Sequence, residues 1–476
     1  MLQSKDNIPT IFTAFGASGD LMRIKVVPAL FHLYQSGELP TMFRVVGFSR
    51  RQWSDADFRE HVRAIVSAHA VDQDQARIDS FLELFYFQRG DFDERQSYAD
   101  LKERTNTFDR EWGVCANKLF YLAVAPEFYT TIASHVAESG LSESCGPNEG
   151  WTRIVVEKPF GHDGESARVI DDTLAKLFRE EQIYRVEHYL AKEMLQNILN
   201  FRFANNVFES QWDNTFIEKI EIRLLESIGV EKRGSFYDAT GTLRDVGQNH
   251  FLQMLALLTM ERPVSLDSAA IREKRAQLLE ALEIPTPDEI KRFTTRAQYK
   301  GFREIAGVSP ESTTETYFKV RASIQSARWM GVPITMEGGK RLGPARKEIQ
   351  ITFKHPRACL CPPEEPHHTN GVIIRMEPRE EIVIEWWAKK PGHTAETEKR
   401  SFDFALRERP KAAQYTEEYE KLLLDCIRGD QTLFVSTPEV RAMWKFIDPI
   451  VSAWQANATP LLTYEPDTQD FVERNN

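Results

Sequence analysis

A glycine turn near the start of the chain constrains its fold more than any other feature. The segment Gly16-Ala17-Ser18-Gly19-Asp20-Leu21 follows an apolar run from Ile8 to Phe15 and leads into a helical pattern that ends near Tyr34. A strand, a tight glycine turn and a helix hold a dinucleotide pyrophosphate, because glycines let the backbone approach and the helix N-terminus offers N–H groups. The G-x-x-G spacing is shorter than the full G-x-G-x-x-G pattern, so an ordinary strand-to-helix corner is the alternative.

Length and charge limit the classes to which the chain can belong. Its 476 residues are too many for one ordinary hydrophobic core, so two or three domains are expected. The 60 basic and 71 acidic side chains give a net charge of −11, which lacks the positive field that nucleic acid selects. The sequence contains no apolar run long enough to span a membrane, and its polar start resembles no targeting peptide. We therefore expect a cytoplasmic protein without nucleic-acid or membrane partners.

The cysteine content favours a reducing compartment. Five cysteines are an odd number in a large acidic chain, which predicts reduced thiols and not a disulfide framework. They are Cys115, Cys145, Cys359, Cys361 and Cys426.

Two adjacent arginines follow the second predicted strand. This strand covers Phe43 to Phe48, and Arg50 and Arg51 separate it from a helical segment near Asp55 to Ala68. In dinucleotide-binding folds an acidic residue at this point accepts from the ribose 2′-hydroxyl of NAD, whereas a guanidinium pairs with the 2′-phosphate of NADP. The arginines favour NADP, with NAD as a weaker alternative, although both side chains would also suit a solvated surface.

A lysine follows another buried strand of the first third of the chain. Predicted strands cover Leu119 to Ala125 and Arg153 to Glu157, and Lys158 comes directly after the second of them. Open α/β sheets bind ligands at the carboxyl ends of their parallel strands. Lys158 is therefore a candidate site residue, and an exposed lysine in a turn is the alternative.

The pattern changes after about residue 186. A helix is predicted from Glu187 to Phe203, and longer alternating stretches then indicate a mostly antiparallel sheet packed against helices. These stretches are Phe216 to Leu224, Lys347 to Lys354, Gly371 to Met376 and Glu381 to Trp387. The sequence thus predicts an α/β, Rossmann-like dinucleotide-binding domain over 1–186 and a larger α+β domain over 187–476.

The segment Arg185 to Glu193 carries one concentration of polar side chains. His188 and Lys192 are four residues apart, so on a helix they would share one face near its N-terminus, where the dipole also favours an anion. With the nearby Tyr189 hydroxyl they could bind a phosphate group. Surface positions for the histidine and the lysine are the alternative.

A second polar segment runs from Arg244 to His250. Asp245 and His250 precede the apolar stretch Phe251 to Leu258, which would fix both side chains on a rigid buried helix. This placement suits residues that must be held in one geometry.

Six segments together resemble the glucose-6-phosphate dehydrogenase family over nearly the whole chain. They are GASGDL, FYLAVAP, VVEKPFGHD, EQIYR-VEHYLAKE-MLQNILNFRFAN, GVEKRGSFYDATGTLRDVGQNH and GGKRL, in the family's order. The resemblance implies an oxidoreductase that transfers hydride from C1 of D-glucose 6-phosphate to NADP. The product would be 6-phospho-D-glucono-1,5-lactone, formed in the first step of the oxidative pentose phosphate pathway, and the protein would be a homodimer or homotetramer.

The same resemblance implies roles for individual residues. His250 would be the general base, Glu187 would orient it where the family has aspartate, and Lys158 would lie between substrate and nicotinamide. A neutral imidazole suits removal of a hydroxyl proton near pH 7, and a carboxylate partner fixes its tautomer. The implied substrate-binding residues are His188, Tyr189, Lys192, Glu226, Asp245, Lys340 and Arg346. The implied cofactor-binding residues are Gly16, Ser18, Gly19, Asp20, Leu21, Arg50 and Lys158.

Two departures from the family's pattern stand near the predicted base. Glu187 is one methylene longer than the family's aspartate, and Gly247 replaces a larger residue one helical turn before His250. We predict that the missing side chain at Gly247 makes room for the longer acid. Independent drift at the two positions is the alternative.

Two other functions remain open at this point. One is a non-catalytic homologue that binds NADPH or a sugar phosphate, against which the presence of both His250 and Lys192 argues. The other is a dehydrogenase of the same build that acts on another sugar. The predicted phosphate-binding group disfavours unphosphorylated glucose.

One cluster of soft ligands lies outside the family's motifs. Histidine and cysteine side chains this close in sequence could bind zinc, and a long surface loop is the alternative. The residues, which fall between two predicted strands, are His355, Cys359, Cys361, His367 and His368.

Overall fold

A computed structural model of the protein describes residues 9–69, 74–143, 150–355, 361, 367–393, 396–406 and 417–474. The strands of this part of the chain are β1 (Thr10–Phe15), β2 (Phe43–Ser49), β3 (Phe85–Arg89), β4 (Asn117–Leu122), β5 (Thr152–Val156), β6 (Ile183–Val186), β7 (Ile217–Leu225), β8 (Thr294–Tyr299), β9 (Tyr317–Ala322), β10 (Ile334–Gly339), β11 (Arg346–Phe353), β12 (Gly371–Glu377), β13 (Glu381–Lys389), β14 (Thr397–Ala405), β15 (Phe434–Val435) and β16 (Leu461–Tyr464).

The α-helices are α1 (Val27–Ser36), α2 (Asp55–His69), α3 (Gln75–Leu82), α4 (Arg95–Trp112), α5 (Tyr129–Glu138), α6 (Gly164–Leu177), α7 (Glu193–Phe203), α8 (Asn206–Glu209), α9 (Gly234–Thr242), α10 (Leu252–Thr259), α11 (Ser268–Glu280), α12 (Pro287–Phe293), α13 (Glu418–Arg428), α14 (Thr437–Gln455) and α15 (Asp470–Arg474). Two further segments, Met22–Val26 and Leu243–Phe251, are π-helical. No helix in the described ranges is long and apolar enough to cross a membrane.

The chain forms two compact units. The first unit contains the described residues of Met1–Lys192, Leu266–Arg272 and Tyr415–Val440. The second unit contains those of Glu193–Ser265, Glu273–Gln414 and Arg441–Asn476. The division of the sequence at residues 186 and 187 into two domains stays a prediction.

A seven-stranded sheet organises the first unit. Its strand order is β15-β6-β5-β4-β1-β2-β3, and all neighbours are parallel except β15, which runs antiparallel to β6. The order reverses between β1 and β4, which creates the crevice where open α/β sheets bind ligands. All six residues of β1 and of β4 are buried, as expected for central parallel strands covered on both faces. The predicted Rossmann-like sheet is confirmed.

A nine-stranded sheet organises the second unit. Its order is β14-β13-β12-β11-β7-β10-β9-β8-β16. The β7/β10 and β8/β16 pairs are parallel and the remaining neighbours are antiparallel. The predicted α+β class with a mostly antiparallel sheet is therefore confirmed.

Two expectations from the sequence are wrong. The helix expected from Glu187 begins at Glu193, since residues 187–192 form turns. Cys115 is disulfide-bonded, which contradicts the expectation that all five thiols are reduced. Cys361 and Cys426 are thiols, and residues 145 and 359 lie outside the described ranges.

Candidate active site

The glycine turn lies at the carboxyl end of β1, beside the crevice of the first sheet. Gly16 has a φ of 82°, and a Cβ on it would lie 2.4 Å from the carbonyl oxygen of Ala123, just beyond β4. The Gly16 N–H donates to the carbonyl of Phe48 at 3.0 Å, and the Gly19 N–H donates to that of Gly16 at 2.9 Å. The helix begins at Asp20, directly after the turn. Only glycine fits at position 16, so the turn has the tight backbone that lets a pyrophosphate approach a helix N-terminus.

Arg50 and Arg51 bring positive charge to the end of β2, and the charge of Arg23 reaches the neighbouring helix α2. Arg50 is 80% exposed, and its Nε lies 3.9 Å from a carboxylate oxygen of Asp91. Burial lowers the pKa of His61 on α2, and the charges of Arg51 and Arg23 lower it further. The two arginines after β2 are evident from the sequence, whereas Arg23 is not, because its position depends on the helical segment that follows the glycine turn. Cationic side chains at the end of this strand fit a 2′-phosphate.

Lys158 follows β5 and is half-buried. The residue before it, Glu157, is buried and surrounded by hydroxyl groups. Tyr121 donates to its carboxylate, Tyr419 lies 3.4 Å from both carboxylate oxygens, and Tyr129 donates to its backbone carbonyl at 2.9 Å. Burial raises the pKa of Glu157 to about 7. The backbone that carries Lys158 is thus anchored on three tyrosines.

The turn over residues 187–192 carries the predicted phosphate-binding group. The backbone N–H groups of residues 190, 191 and 192 each donate to the carbonyl three positions earlier, at 3.0–3.2 Å. Glu187, which is fully buried, accepts from the Tyr189 N–H at 3.0 Å through one carboxylate oxygen. The His188 and Tyr189 rings meet edge to face, with centroids 5.2 Å apart. Glu187 therefore stabilises the turn that presents His188 and Lys192, a role that the sequence did not reveal.

Lys192 is paired with a carboxylate from α13. Its Nζ lies 2.8 Å from an oxygen of Glu418 and 5.3 Å from the Tyr189 ring centroid, and both members of the pair are mostly buried. Burial raises the pKa of Glu418, but the hydrogen bond and charge of Lys192, with the charge of Lys25, outweigh it and leave the pKa lowered. Lys192 is thus held in one place within the first unit.

The π-helical segment Leu243–Phe251 presents Asp245 and His250 in the second unit. Hydrogen bonds of a π-helix join residues five apart, so these two side chains lie on one face, which an α-helix would not achieve. His250 is 2% exposed, and its backbone N–H donates to the Asn249 side-chain oxygen at 2.7 Å. Glu315 accepts from the Leu243 N–H at 3.0 Å and so caps the start of the segment.

A charged cluster next to this helix contains the predicted sugar ligands. The ammonium group of Lys340 is hydrogen-bonded to Glu226 and lies 5.8 Å from the Tyr237 ring centroid. Burial raises the pKa of Tyr237 well above its ordinary value, and the charges of Asp245, Glu315 and Glu226 raise it further. Tyr237 thus lies among the predicted ligands, although no pattern in the sequence indicates this.

Two neighbouring cations on β11 belong to different clusters. Arg346 pairs with Glu348 at 2.6 Å, whereas the Lys347 ammonium lies 3.7 Å from Glu226 and 2.9 Å from Glu377. The cation that approaches Glu226 from this strand is therefore Lys347. No sequence signal distinguished the two residues, because each follows the GGKRL motif closely.

Packing within the second unit explains the glycine at position 247. A Cβ at this position would lie 2.8 Å from Cδ1 of Leu243 and 3.2 Å from Cζ of Phe318. These contacts account for a glycine inside the helix. Its predicted coupling to Glu187 stays a prediction.

Comparisons with known protein families cover almost the whole chain. A model described as "Glucose-6-phosphate dehydrogenase, NAD binding domain" matches residues 13–197. A second model, described as "Glucose-6-phosphate dehydrogenase, C-terminal domain", matches residues 199–475. The two matches follow one another along the chain with almost no gap.

Individual relatives agree with the family models. A glucose-6-phosphate 1-dehydrogenase from Aggregatibacter actinomycetemcomitans is 39% identical over 467 residues, covering 95% of this chain and 92% of the relative. A glucose-6-phosphate 1-dehydrogenase from Bacillus subtilis is 37% identical over 466 residues, covering 96% of this chain and 94% of the relative. A solved structure of glucose-6-phosphate dehydrogenase in complex with its substrate glucose-6-phosphate has a TM-score of 0.90 at 33% identity, covering 98% and 97%.

Proposed function

The chain belongs to the glucose-6-phosphate dehydrogenase family, and we propose that it oxidises C1 of D-glucose 6-phosphate with NADP as hydride acceptor. The product is 6-phospho-D-glucono-1,5-lactone. The observation that carries the proposal is the full-length match to enzymes of this name, joined to a buried histidine held on a π-helix.

His250 acts as the general base in this proposal. Oxidation of a hemiacetal carbon needs the hydroxyl proton to leave as hydride departs, and a neutral imidazole accepts such a proton near pH 7. Glu187 is proposed to accept from the other ring N–H, which would fix the tautomer and stabilise the imidazolium. The proton passes from the C1 hydroxyl to the imidazole, and the carbonyl of the lactone forms.

The sugar phosphate is proposed to bind through cations and aromatic hydroxyls. His188, Tyr189 and Lys192 would hold the phosphate, and the existing charge pair of Lys192 keeps its ammonium group in position for this. Within the second unit, Glu226, Asp245 and Lys340 would bind sugar hydroxyls. Such contacts raise the rate by positioning C1 for transfer.

Tyr237 and Lys347 extend the proposed set of sugar ligands. Tyr237 lies next to the Lys340 ammonium group, and the Lys347 ammonium group lies next to Glu226. Arg346 remains a predicted ligand, and its pair with Glu348 would have to open for this role.

The cofactor is proposed to be NADP, with NAD as a weaker alternative. Its nicotinamide, when bound, accepts the hydride from C1. Gly16, Ser18, Gly19, Asp20 and Leu21 would hold the pyrophosphate, since a Cβ at Gly16 would fill the turn. Arg50 would pair with the 2′-phosphate, and Lys158 would lie between the nicotinamide and the sugar.

Steady-state kinetics test the substrate and the catalytic role together. We expect turnover with glucose 6-phosphate and a much lower kcat/KM with glucose, because the phosphate-binding group would lack its ligand. Absence of turnover would favour a non-catalytic binding protein. A higher kcat/KM for another sugar would indicate a dehydrogenase of the same build with a different substrate.

A matched set of arginine variants tests the cofactor. Arg50→Ala should lower kcat/KM for NADP at least about tenfold, the loss expected for a charge-assisted hydrogen bond, and leave NAD nearly unchanged. Arg110→Ala is the control, since Arg110 is also exposed and also paired with a carboxylate. Equal losses for both cofactors would make Arg50 a structural residue, and Arg51→Ala would then identify the alternative ligand.

We further propose a homodimer or homotetramer in the cytoplasm, as the resemblance to the family implies. Light scattering during gel filtration measures the mass of the assembly. A monomeric mass would contradict this proposal without affecting the proposed reaction.

A further inference from the structure

A cluster of two imidazoles and one thiol lies at the end of the β11–β12 pair. It consists of His355, Cys361 and His367, all within the second unit. One ligand atom from each residue, a ring nitrogen or the sulfur, lies within 4.8 Å of the other two. We propose that this cluster binds a zinc ion that ties the two strands together.

The distance between one imidazole nitrogen and the sulfur is close to that expected for two ligands of a tetrahedral zinc ion. Zinc binds nitrogen at about 2.0–2.1 Å and sulfur at about 2.3 Å, so two ligands of a tetrahedral ion lie about 3.3–3.7 Å apart. Nε2 of His355 lies 3.2 Å from Sγ of Cys361. The ring centroids of His355 and His367 are 4.5 Å apart and the planes are tilted by 50°, so the rings are not stacked flat on each other.

The backbone holds the two histidines at the same end of an antiparallel pair. Thr352 of β11 pairs with Gly371 of β12, and the Phe353 N–H donates to the carbonyl of Asn370 at 3.0 Å. His355 lies two residues beyond Phe353, and His367 lies three residues before Asn370. The strand register therefore brings His355 and His367 close together without any change in the sheet.

Groups next to the cluster favour the thiolate form of Cys361 and hold the backbone that leads into β12. The His368 N–H donates to the Cys361 sulfur at 3.4 Å, which favours the thiolate that zinc requires. The His368 ring stacks on Trp387 of β13, with centroids 3.7 Å apart, and the Trp387 indole N–H donates to the Thr369 carbonyl at 3.0 Å. The indole hydrogen bond to Thr369 therefore fixes the backbone next to the cluster.

The ligand types favour zinc over calcium and magnesium. Those ions prefer oxygen ligands, whereas thiolate and imidazole suit zinc. Three protein ligands leave one tetrahedral position for water or another group. The remaining cysteine of this sequence cluster, at position 359, lies outside the described residues.

Glucose 6-phosphate oxidation is proposed to use other residues, so this site is independent of the proposed reaction.

Direct metal binding tests the proposal. Protein without a histidine tag is stripped with a chelator under reducing conditions, given zinc, separated by gel filtration and analysed for metal. We expect one zinc per chain in the wild type. Cys361→Ser should weaken zinc at least about a hundredfold in competition with a coloured chelator, because it removes a direct ligand.

Two control variants keep the result specific. His368→Ala removes an imidazole next to the cluster, and Cys426→Ala removes a buried thiol on α13. Both should bind one zinc per chain. All three variants should turn over glucose 6-phosphate at the wild-type rate, which shows that they are folded.

Cobalt provides a spectroscopic readout of the ligands. The cobalt-loaded wild type should show the strong visible bands of a tetrahedral site and a thiolate charge-transfer band that Cys361→Ser lacks. Substoichiometric zinc in the wild type, or undiminished binding by Cys361→Ser, would overturn the proposal. Neither result would affect the proposed dehydrogenase activity.

Discussion

The buried carboxylate of Glu157 should make the stability of the protein depend on pH. Burial raises its pKa from an ordinary 4.5 to about 7. Hydrogen bonds from Tyr121 and Tyr419 and the charge of Lys158 oppose the increase, and the charge of Glu187 adds to it. Because the folded protein binds this proton more tightly than the unfolded chain, this contribution to stability falls as pH rises through the range between the two pKa values.

The expected magnitude follows from the two pKa values. At about 1.4 kcal/mol per pKa unit, the ionised carboxylate makes the folded state about 3.3 kcal/mol less stable at pH 8 than a neutral group would. About 0.8 kcal/mol of this cost is already present at pH 5, so about 2.5 kcal/mol develops between pH 5 and pH 8. Glu157→Gln keeps the shape and hydrogen-bonding capacity of the neutral acid and should remove this pH-dependent part.

Urea unfolding of the wild type and of Glu157→Gln across this pH range measures the difference. The variant should gain stability relative to the wild type as pH rises. Glu418→Gln is the control, since the pKa of Glu418 is lowered in the folded state from an ordinary 4.5, so the group is mostly ionised in both states across this range. The difference in unfolding free energy between this variant and the wild type should therefore stay nearly constant. If the unfolding free energies of Glu157→Gln and the wild type changed with pH in parallel, the assignment of a raised pKa to Glu157 would be refuted.

Three further substitutions test the site. His250→Asn should lower kcat by about 10²–10⁴-fold with little change in KM for glucose 6-phosphate, as measured by initial rates, and an unchanged kcat would exclude it as the base. Lys192→Ala should raise KM for glucose 6-phosphate at least about tenfold and leave KM for the cofactor unchanged, whereas an effect on stability alone would make it structural. Gly247→Ala should destabilise the fold by about 1–3 kcal/mol in urea, because its Cβ would crowd Leu243 and Phe318, and unchanged stability would show that these side chains can move.

The sequence by itself predicted the elements whose signals are local. The mostly apolar strands β1 and β2 and the helix that begins at Asp55 all formed where the pattern placed them. Burial on both faces selects apolar residues along a whole central strand, so such strands are evident without knowing their neighbours. Gly16 was likewise evident, because its turn requires a residue without a Cβ.

Residue types also allowed the family to be identified from ordered motifs, and the comparisons confirm it. Those motifs list the candidate groups, such as His250 and Lys192. They do not specify the backbone conformation, since the same residues are compatible with an α-helix, a π-helix or a turn.

Only the tertiary structure decided how these groups are presented. The π-helix that aligns Asp245 with His250 is capped by Glu315, a residue more than sixty positions away in sequence. The start of α7 at Glu193 follows from Glu187, which uses its carboxylate to hold a turn where the pattern predicted a helix. Local propensity differs by less than about 1 kcal/mol per residue for most side chains, so a single hydrogen bond to a buried carboxylate can decide between such conformations, and burial of that carboxylate is itself set by the tertiary fold.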